Sequence, residues 1–195
     1  MSQHSVTEPV RRMRRADRRE QILDAATRAF ARAGFTATGL DDVAAEAGIT
    51  RVLLYRHFDS KADMYRAVLE RVCRRLAEQV GTDDYDERSI PSLLRAATAD
   101  PDGFRLLFHH AAREPEFRDV VDHLTTTSVD VARRNIATRL PGGPWLDWAA
   151  RLLPTLTTEA VIAWLDAGQP DPETAADRIG RAVHGVLQAA QSTAP

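Results

Sequence analysis

The stretch that decides the fold is Thr38–Lys61, TGLDDVAAEAGITRVLLYRHFDSK. It reads as two short helices meeting across Gly48. The first opens at Thr38 or Gly39 and runs through Ala47. Asp41 and Asp42 stand in its first turn, where carboxylates complement the helix dipole. The second starts on Thr50, a good N-cap residue, and runs to about His57. Gly48 supplies the left-handed backbone that a tight turn often needs. Val43, Ala44, Ala47, Ile49, Leu54 and Phe58 fall on the inward face, and the small Ala44 lets the two helices approach closely.

Working outward, an N-terminal partner helix runs from Arg18, with Ile22, Ala26, Ala29, Phe30 and Ala33 at helical spacing. Gly34 ends it. Ser60 caps a longer helix, with Asp63 three residues on as an acidic variant of the capping box. Met64, Val68, Val72 and Leu76 line one face of that helix. Residues 1–17 are polar, hold Pro9 and the run Arg11-Arg12-Met13-Arg14-Arg15, and are expected to form a disordered basic arm. An arm of this kind lies in a minor groove or is a solvated tail, and the sequence leaves both readings open.

The acidic, turn-like segment 81–88 (GTDDYDER) follows the long helix. Further helices are expected at about 89–99, 102–113, 115–139, 145–167 and 171–190. Pro91, Pro101, Pro115, Pro144 and Pro172 sit at or near their starts. The cluster Pro141-Gly142-Gly143-Pro144 is a loop, and Pro154 is expected to kink or restart the helix that contains it. The expected fold class is all-α. A three-helix helix-turn-helix domain (18–63) follows the arm (1–17), and a helical ligand-binding and dimerisation domain (64–195) completes about nine helices.

Composition narrows the function classes. The net charge of -2 hides an asymmetry: residues 1–75 carry 15 Lys/Arg and 10 Asp/Glu, whereas the remainder nets -7. Only the front of the molecule is suited to a polyanion. A single cysteine, Cys73, excludes an internal disulfide and a cysteine zinc cluster. With no long apolar run and no apolar stretch behind the basic N-terminus, neither a membrane span nor a signal peptide is expected. A reducing, cytoplasmic setting follows. No glycine-rich phosphate loop, serine nucleophile motif or zinc-ligand spacing is present, so no enzyme, metal or cofactor is expected.

A compact helix pair joined by a short turn is the geometry that sets a second helix in a major groove. The outward side of the Thr50–His57 helix has matching chemistry: hydroxyls on Thr50 and Tyr55, cations on Arg51 and Arg56, and a ring nitrogen on His57. Lys61 sits in the next first turn, where free N–H groups also favour phosphate.

From Arg19 to Glu70 the chain resembles the DNA-binding domain of the TetR family of bacterial regulators. The matching marks are Gly34-Phe35, Thr38, Asp42-Val43-Ala44, Ala47-Gly48-Ile49, Leu54-Tyr55, His57-Phe58 and Ser60-Lys61. The resemblance implies an effector-responsive repressor that binds a palindromic operator in double-stranded DNA as a homodimer. It implies that Thr38 helps cap a helix near a phosphate, that Thr50, Tyr55, His57 and Lys61 hold the DNA backbone, and that Arg51, Val52 and Leu53 point toward base edges. Arg51 would then grip a guanine, and Val52 or Leu53 would touch a thymine methyl. Three positions depart from the family pattern: Gly39 stands where Thr or Ser is usual, Val52 where Gly is common, and Leu53 where Thr is common. Gly39 therefore costs one hydroxyl at the DNA-binding surface. Asp41 places negative charge near the same surface.

The resemblance also implies that the last two helices pair across a two-fold axis and that the middle helices hold a small-molecule effector. Trp145, Trp148, Leu152, Leu156, Val161, Trp164 and Leu165 supply apolar bulk on one of these helices, and Ile179, Val183, Val186 and Leu187 form a stripe on the last. Closing the monomer core is the other reading of both stripes. Phe104, Phe108, His109, His123, Trp145 and Trp148 are the candidate effector-binding residues, with ordinary core packing as the alternative. The rival overall reading is a helical protein-interaction or redox-sensing module that has lost specific DNA binding. It draws on Gly39, Leu53 and Asp41, and on arginine neighbours that could lower the Cys73 pKa.

Overall fold

A computed structural model describes residues 14–81, 84–86 and 88–191. Residues 1–13 of the expected basic arm lie outside them. Among the described residues nine α-helices run in order: α1 (Arg15–Ala37), α2 (Leu40–Ala47), α3 (Arg51–Leu54), α4 (Lys61–Val80), α5 (Ser89–Ala99), α6 (Pro101–Arg105), α7 (Arg118–Ile136), α8 (Pro144–Asp166) and α9 (Pro172–Gln191). No strand occurs among the described residues.

Helix α1 starts at Arg15, three residues before the expected Arg18, so the end of the arm is helical. Its regular backbone breaks at Gly34 (φ 76°, ψ 172°), a conformation closed to most side chains, and a last turn follows to Ala37. Of the stripe read from the sequence on α1, Ile22, Ala26, Ala29 and Phe30 are buried, whereas Ala33 is exposed and the unread Leu23 takes its place; they join Val43, Ala44, Leu54, Phe58, Met64, Val68 and Val72 in one core. That core does not stop at residue 63. Leu106, Leu107, Ala111 and Phe117 enter it from beyond α5, so the first four helices lean on the segment joining α6 to α7. Phe30, Phe35, Tyr65 and Phe117 form its aromatic centre, with neighbouring rings 4.6–6.3 Å apart.

Arg71 is a buried cation that periodicity did not flag. It is 1% exposed on the inner side of α4 and donates to Asp24 (2.6 Å), Glu20 (3.3 Å) and Thr27 Oγ1 (2.8 Å) on α1. A buried charge survives only with such partners, and these bind α4 to α1.

The expected single helix over 102–113 is three pieces. α6 passes into a π-helical turn (Leu106–His110) and then a 3-10 turn (Ala111–Arg113). A second 3-10 turn (Pro115–Phe117) leads into α7. Phe104 faces a second core with Leu94, Val161, Ile162, Leu165 and Ile179. Leu106 and Leu107 face the first. The wider π turn accommodates this change of facing.

Pro154 does not restart α8, which runs unbroken through it. Thr155 and Thr157 beside it donate hydroxyl hydrogen bonds to the Arg151 and Leu153 carbonyls. A third core of Ile136, Leu140, Leu146, Ala149, Ala150, Leu153, Leu187 and Ala190 joins α7, α8 and α9.

Candidate nucleic-acid interface

The turn between α2 and α3 is a Schellman motif. Gly48 takes a left-handed conformation (φ 64°, ψ 36°), its N–H donates to the Ala45 carbonyl at 3.1 Å, and the Ile49 N–H donates to the Ala44 carbonyl at 3.0 Å. Asp42 Oδ2 accepts the Gly39 N–H at 2.7 Å at the other end of α2. Gly39 has no hydroxyl to return the bond. Helix α2 is pinned to α1 by Glu46, which pairs with Arg28 (2.8 Å) and Arg32 (2.7 Å), and by Gln21, which donates to the Ala47 carbonyl (2.9 Å). The two arginines hold the Glu46 carboxyl below its ordinary pKa.

On this mount, α3 is shorter than expected, with regular α-helix over Arg51–Leu54 only. The backbone nevertheless continues to turn. Arg56 and His57 donate to Leu53 and Leu54 in tight i to i+3 bonds, and Phe58 donates to Leu54. Leu54 and Phe58 are buried, whereas Val52 is 67% and Tyr55 49% exposed. Leu53 is half-buried. The rod thus presents Thr50, Arg51, Val52 and Tyr55 to solvent. The Thr50 hydroxyl makes no cap bond to its own helix.

Arg51 is exposed but held. Nη1 donates to Asp41 Oδ2 at 3.1 Å and Nη2 to the Tyr55 hydroxyl at 3.2 Å. The Tyr55 hydrogen bond, then the Asp41 charge, raise its pKa further. His57 lies near the N-terminal turn of α1, and burial, followed by the charges of Arg15, Arg19 and Arg18, holds it below the ordinary 6.5. Arg15 reaches the Arg56 carbonyl (3.4 Å) and Arg19 lies over the Phe58 ring at 4.5 Å. Arg15, Arg18 and Arg19 therefore flank the end of α3. Sequence reading missed this extension, although their i, i+3, i+4 spacing on one helix face was visible.

Two expected DNA-facing groups point inward. Thr38 is 2% exposed and its hydroxyl donates to the Gly34 carbonyl (2.7 Å) and the Ala29 carbonyl (3.2 Å). Its side chain positions the α1–α2 turn. The Lys61 ammonium has three donors, and three carbonyls take them: Phe35 (2.9 Å), Thr38 (3.1 Å) and Thr36 (3.4 Å). It also stands 4.5 Å from the Phe35 ring centroid. Lys61 staples the start of α4 to the end of α1, because the Gly34 break leaves those carbonyls without helical partners.

Among the middle and last helices a cavity of about 920 Å³ opens. Leu76, Val80, Ile90, Phe108, Leu153 and Val183 supply apolar wall, and Thr127, Ser128, Asn135, Thr157 and Thr158 supply polar points. The Asn135 amide nitrogen on this wall is buried without a hydrogen-bond partner. Of the six expected effector residues only Phe108 lines it. Phe104 is core. His109 faces outward to Glu159 at 3.4 Å, and His123 is exposed. Trp145 and Trp148 are 59% and 39% exposed and meet edge to face on the surface. Periodicity gave the stripes but not their rotation: His123 lies one residue from the cavity-lining Leu124, and that step turns a helical side chain by about 100°.

Cys73 is half-buried. Burial, with Glu70 adding to it, pushes its thiol up to about 11. That is the reverse of what a redox sensor requires.

Comparison with known proteins agrees with this geometry. The family model described as bacterial regulatory proteins, tetR family, matches residues 22–68. The chain is 33% identical over 128 residues to the HTH-type transcriptional activator FasR of Mycolicibacterium smegmatis, covering 61% of this chain and 58% of that one. It is 37% identical over 89 residues to the HTH-type transcriptional repressor SCO4008 of Streptomyces coelicolor, covering 45% and 46%. The chain thus spans about half the length of these curated relatives. The solved structure of a TetR-like transcriptional regulator from Rhodococcus sp. RHA1 superposes with a TM-score of 0.71 at 21% identity, over 91% of this chain and 97% of that one. At that identity the likeness speaks for the fold. A Schellman-turned helix pair with an outward α3 lies within the match over residues 22–68, and the backbone shares an all-helical fold with TetR-like structures: residues 22–68 of this chain are similar to the bacterial regulatory proteins of the tetR family.

Proposed function

We propose that this chain is a DNA-binding transcriptional regulator, not an enzyme, that occupies a palindromic operator as a homodimer and releases it when a small molecule fills the cavity. One observation carries the reading: α3 turns Arg51, Val52 and Tyr55 to solvent on a rod whose opposite side, Leu54 and Phe58, is anchored in the core. Thr50, Tyr55 and His57 are the backbone-holding groups in this reading, with Arg51 and Val52 at base edges and Leu53 at their margin. Gly39 offers only its backbone. Phosphate contacts set register and base contacts set sequence.

The division of labour follows the notional boundary at residues 63/64, with DNA binding before it and ligand binding and dimerisation after it. The α9 stripe closes the monomer core, with Ile179 in the second core and Leu187, Val183 and Val186 at the third; exposed Trp145 and Trp148 on α8 support a two-fold pairing, which would set two copies of α3 roughly 34–36 Å apart. The cavity's apolar wall with a few polar points supports a mainly apolar effector. Repression is the mode carried forward, and a cytoplasmic setting goes with it. No helix of the described residues is long and apolar enough to cross a membrane. Selection from random duplex DNA, followed by anisotropy titration of the enriched and a scrambled sequence at several salt concentrations, tests the reading. An enriched palindrome bound with a steep salt slope is expected. Equal affinity for both sequences would overturn it and leave a protein-interaction module.

A further inference from the structure

Asp41 stands in the first turn of α2, where its charge suits the helix dipole, but its side chain is 75% exposed and the capping bond, to the Gly39 N–H, is made by Asp42. Its partner is Arg51, ten residues on and on the other helix of the pair, at 3.1 Å. An exposed ion pair of this kind contributes little to stability. It does, however, decide how the guanidinium is presented. Asp41 takes a donor on Nη1, the Tyr55 hydroxyl takes one on Nη2, and the Tyr55 ring centroid lies 5.7 Å from Cζ. Five N–H donors lie in one rigid plane. With two of them held, the fork is fixed in direction and keeps free donors.

A free arginine at a duplex surface takes the nearest phosphate, which carries no sequence information. A carboxylate at 3.1 Å competes with phosphate for the same donors and repels it. Guanine O6 and N7 are uncharged acceptors and suffer that repulsion far less. Resting on the DNA-binding reading above, we propose that Asp41 is a specificity-determining residue: it withholds Arg51 from phosphates and commits it to a guanine edge, so that sites lacking that guanine are penalised. Asp41 acts through Arg51 and is a positioning residue.

The test compares wild type, Asp41→Asn, Arg51→Ala and the double variant on the selected duplex, on duplexes with each half-site base changed in turn, and on scrambled DNA. For Asp41→Asn, affinity for scrambled DNA is expected to rise about tenfold and its salt slope to steepen by about 0.9 per protomer, one added phosphate contact. Affinity for the selected duplex should change by less than about threefold, and the preference for guanine at one half-site position should fall at least about fivefold. In the Arg51→Ala background the same change should leave base preference untouched. Asp41→Ser guards against a misfolded first variant, and each melting temperature is checked. The proposal is overturned if Asp41→Asn changes all duplexes by one common factor, or if its effect on base preference persists without Arg51. A wild-type protein that enriches no sequence sinks the DNA-binding reading itself, and the proposal with it. A selective wild type with an indifferent Asp41→Asn sinks the proposal alone.

Discussion

Lys61 separates two accounts of one residue, and Lys61→Met is the variant that tells them apart. Methionine keeps most of the aliphatic stem, which packs at the start of α4, and removes the ammonium. Two of the three hydrogen bonds lost are short, to Phe35 and Thr38 at 2.9 and 3.1 Å, and the third, to Thr36, is long at 3.4 Å. At a net contribution of about 1 kcal/mol per good bond, with about 0.5–1 kcal/mol for the cation over the Phe35 ring, the loss is roughly 2–3 kcal/mol. The site is part-buried and the released carbonyls are partly rehydrated, which keeps the figure from rising further. For a chain of this length each kcal/mol moves the melting temperature by about 2–4 °C, so a drop of roughly 5–10 °C is expected in calorimetry at fixed protein concentration. The salt slope of DNA binding should stay within about 0.3 of wild type, because no phosphate contact has gone. The staple account is refuted if the melting temperature holds within about 1 °C while the slope falls by about 0.9, the signature of one lost phosphate contact.

Other consequences are accessible to simple measurements. With its thiol pushed up to about 11, Cys73 should react with iodoacetamide far more slowly than free cysteine at pH 7, and peroxide treatment should leave DNA affinity unchanged; labelling at the free-cysteine rate would contradict its burial. His57 is held below 6.5 by burial and by Arg15, Arg19 and Arg18, and His110 by burial and Arg113. The unfolded chain therefore binds protons first as pH falls below 6.5, so stability should decline on acidification there and stay level above. DNA affinity has the opposite sign, since an arriving phosphate offsets the arginines and favours protonated His57. Binding should tighten from pH 7.5 to 6 in wild type and not in His57→Gln, and an identical pH profile for both would remove His57 from the interface. Gly48→Ala meets no atom within 4 Å of the added carbon, so its cost is the left-handed backbone alone, about 1–2 kcal/mol. A urea midpoint equal to or above wild type would show that the turn does not require glycine.

By itself the sequence determined the local elements of the front end. Its apolar spacing matched the buried faces of α1, α2 and α4, and Gly34, Gly48 and Ser60 marked breaks and caps where the backbone needs them. These are short-range effects, set by side-chain period and by the φ values a residue tolerates. Ser60 shows the grain of this: its hydroxyl accepts the Asp63 N–H as read, yet Asp63 returns its bond to Asp59, one residue early. What tertiary structure decided was where outward groups go once helices rotate against one another. Thr38 and Lys61 turned inward because the Gly34 break left carbonyls to be satisfied. Arg71 found its partners on a helix more than 40 residues away. The cavity took Phe108 and left five other candidates behind, since helical rotation about its own axis is fixed by packing, and no periodicity within one helix encodes the azimuth of its neighbours.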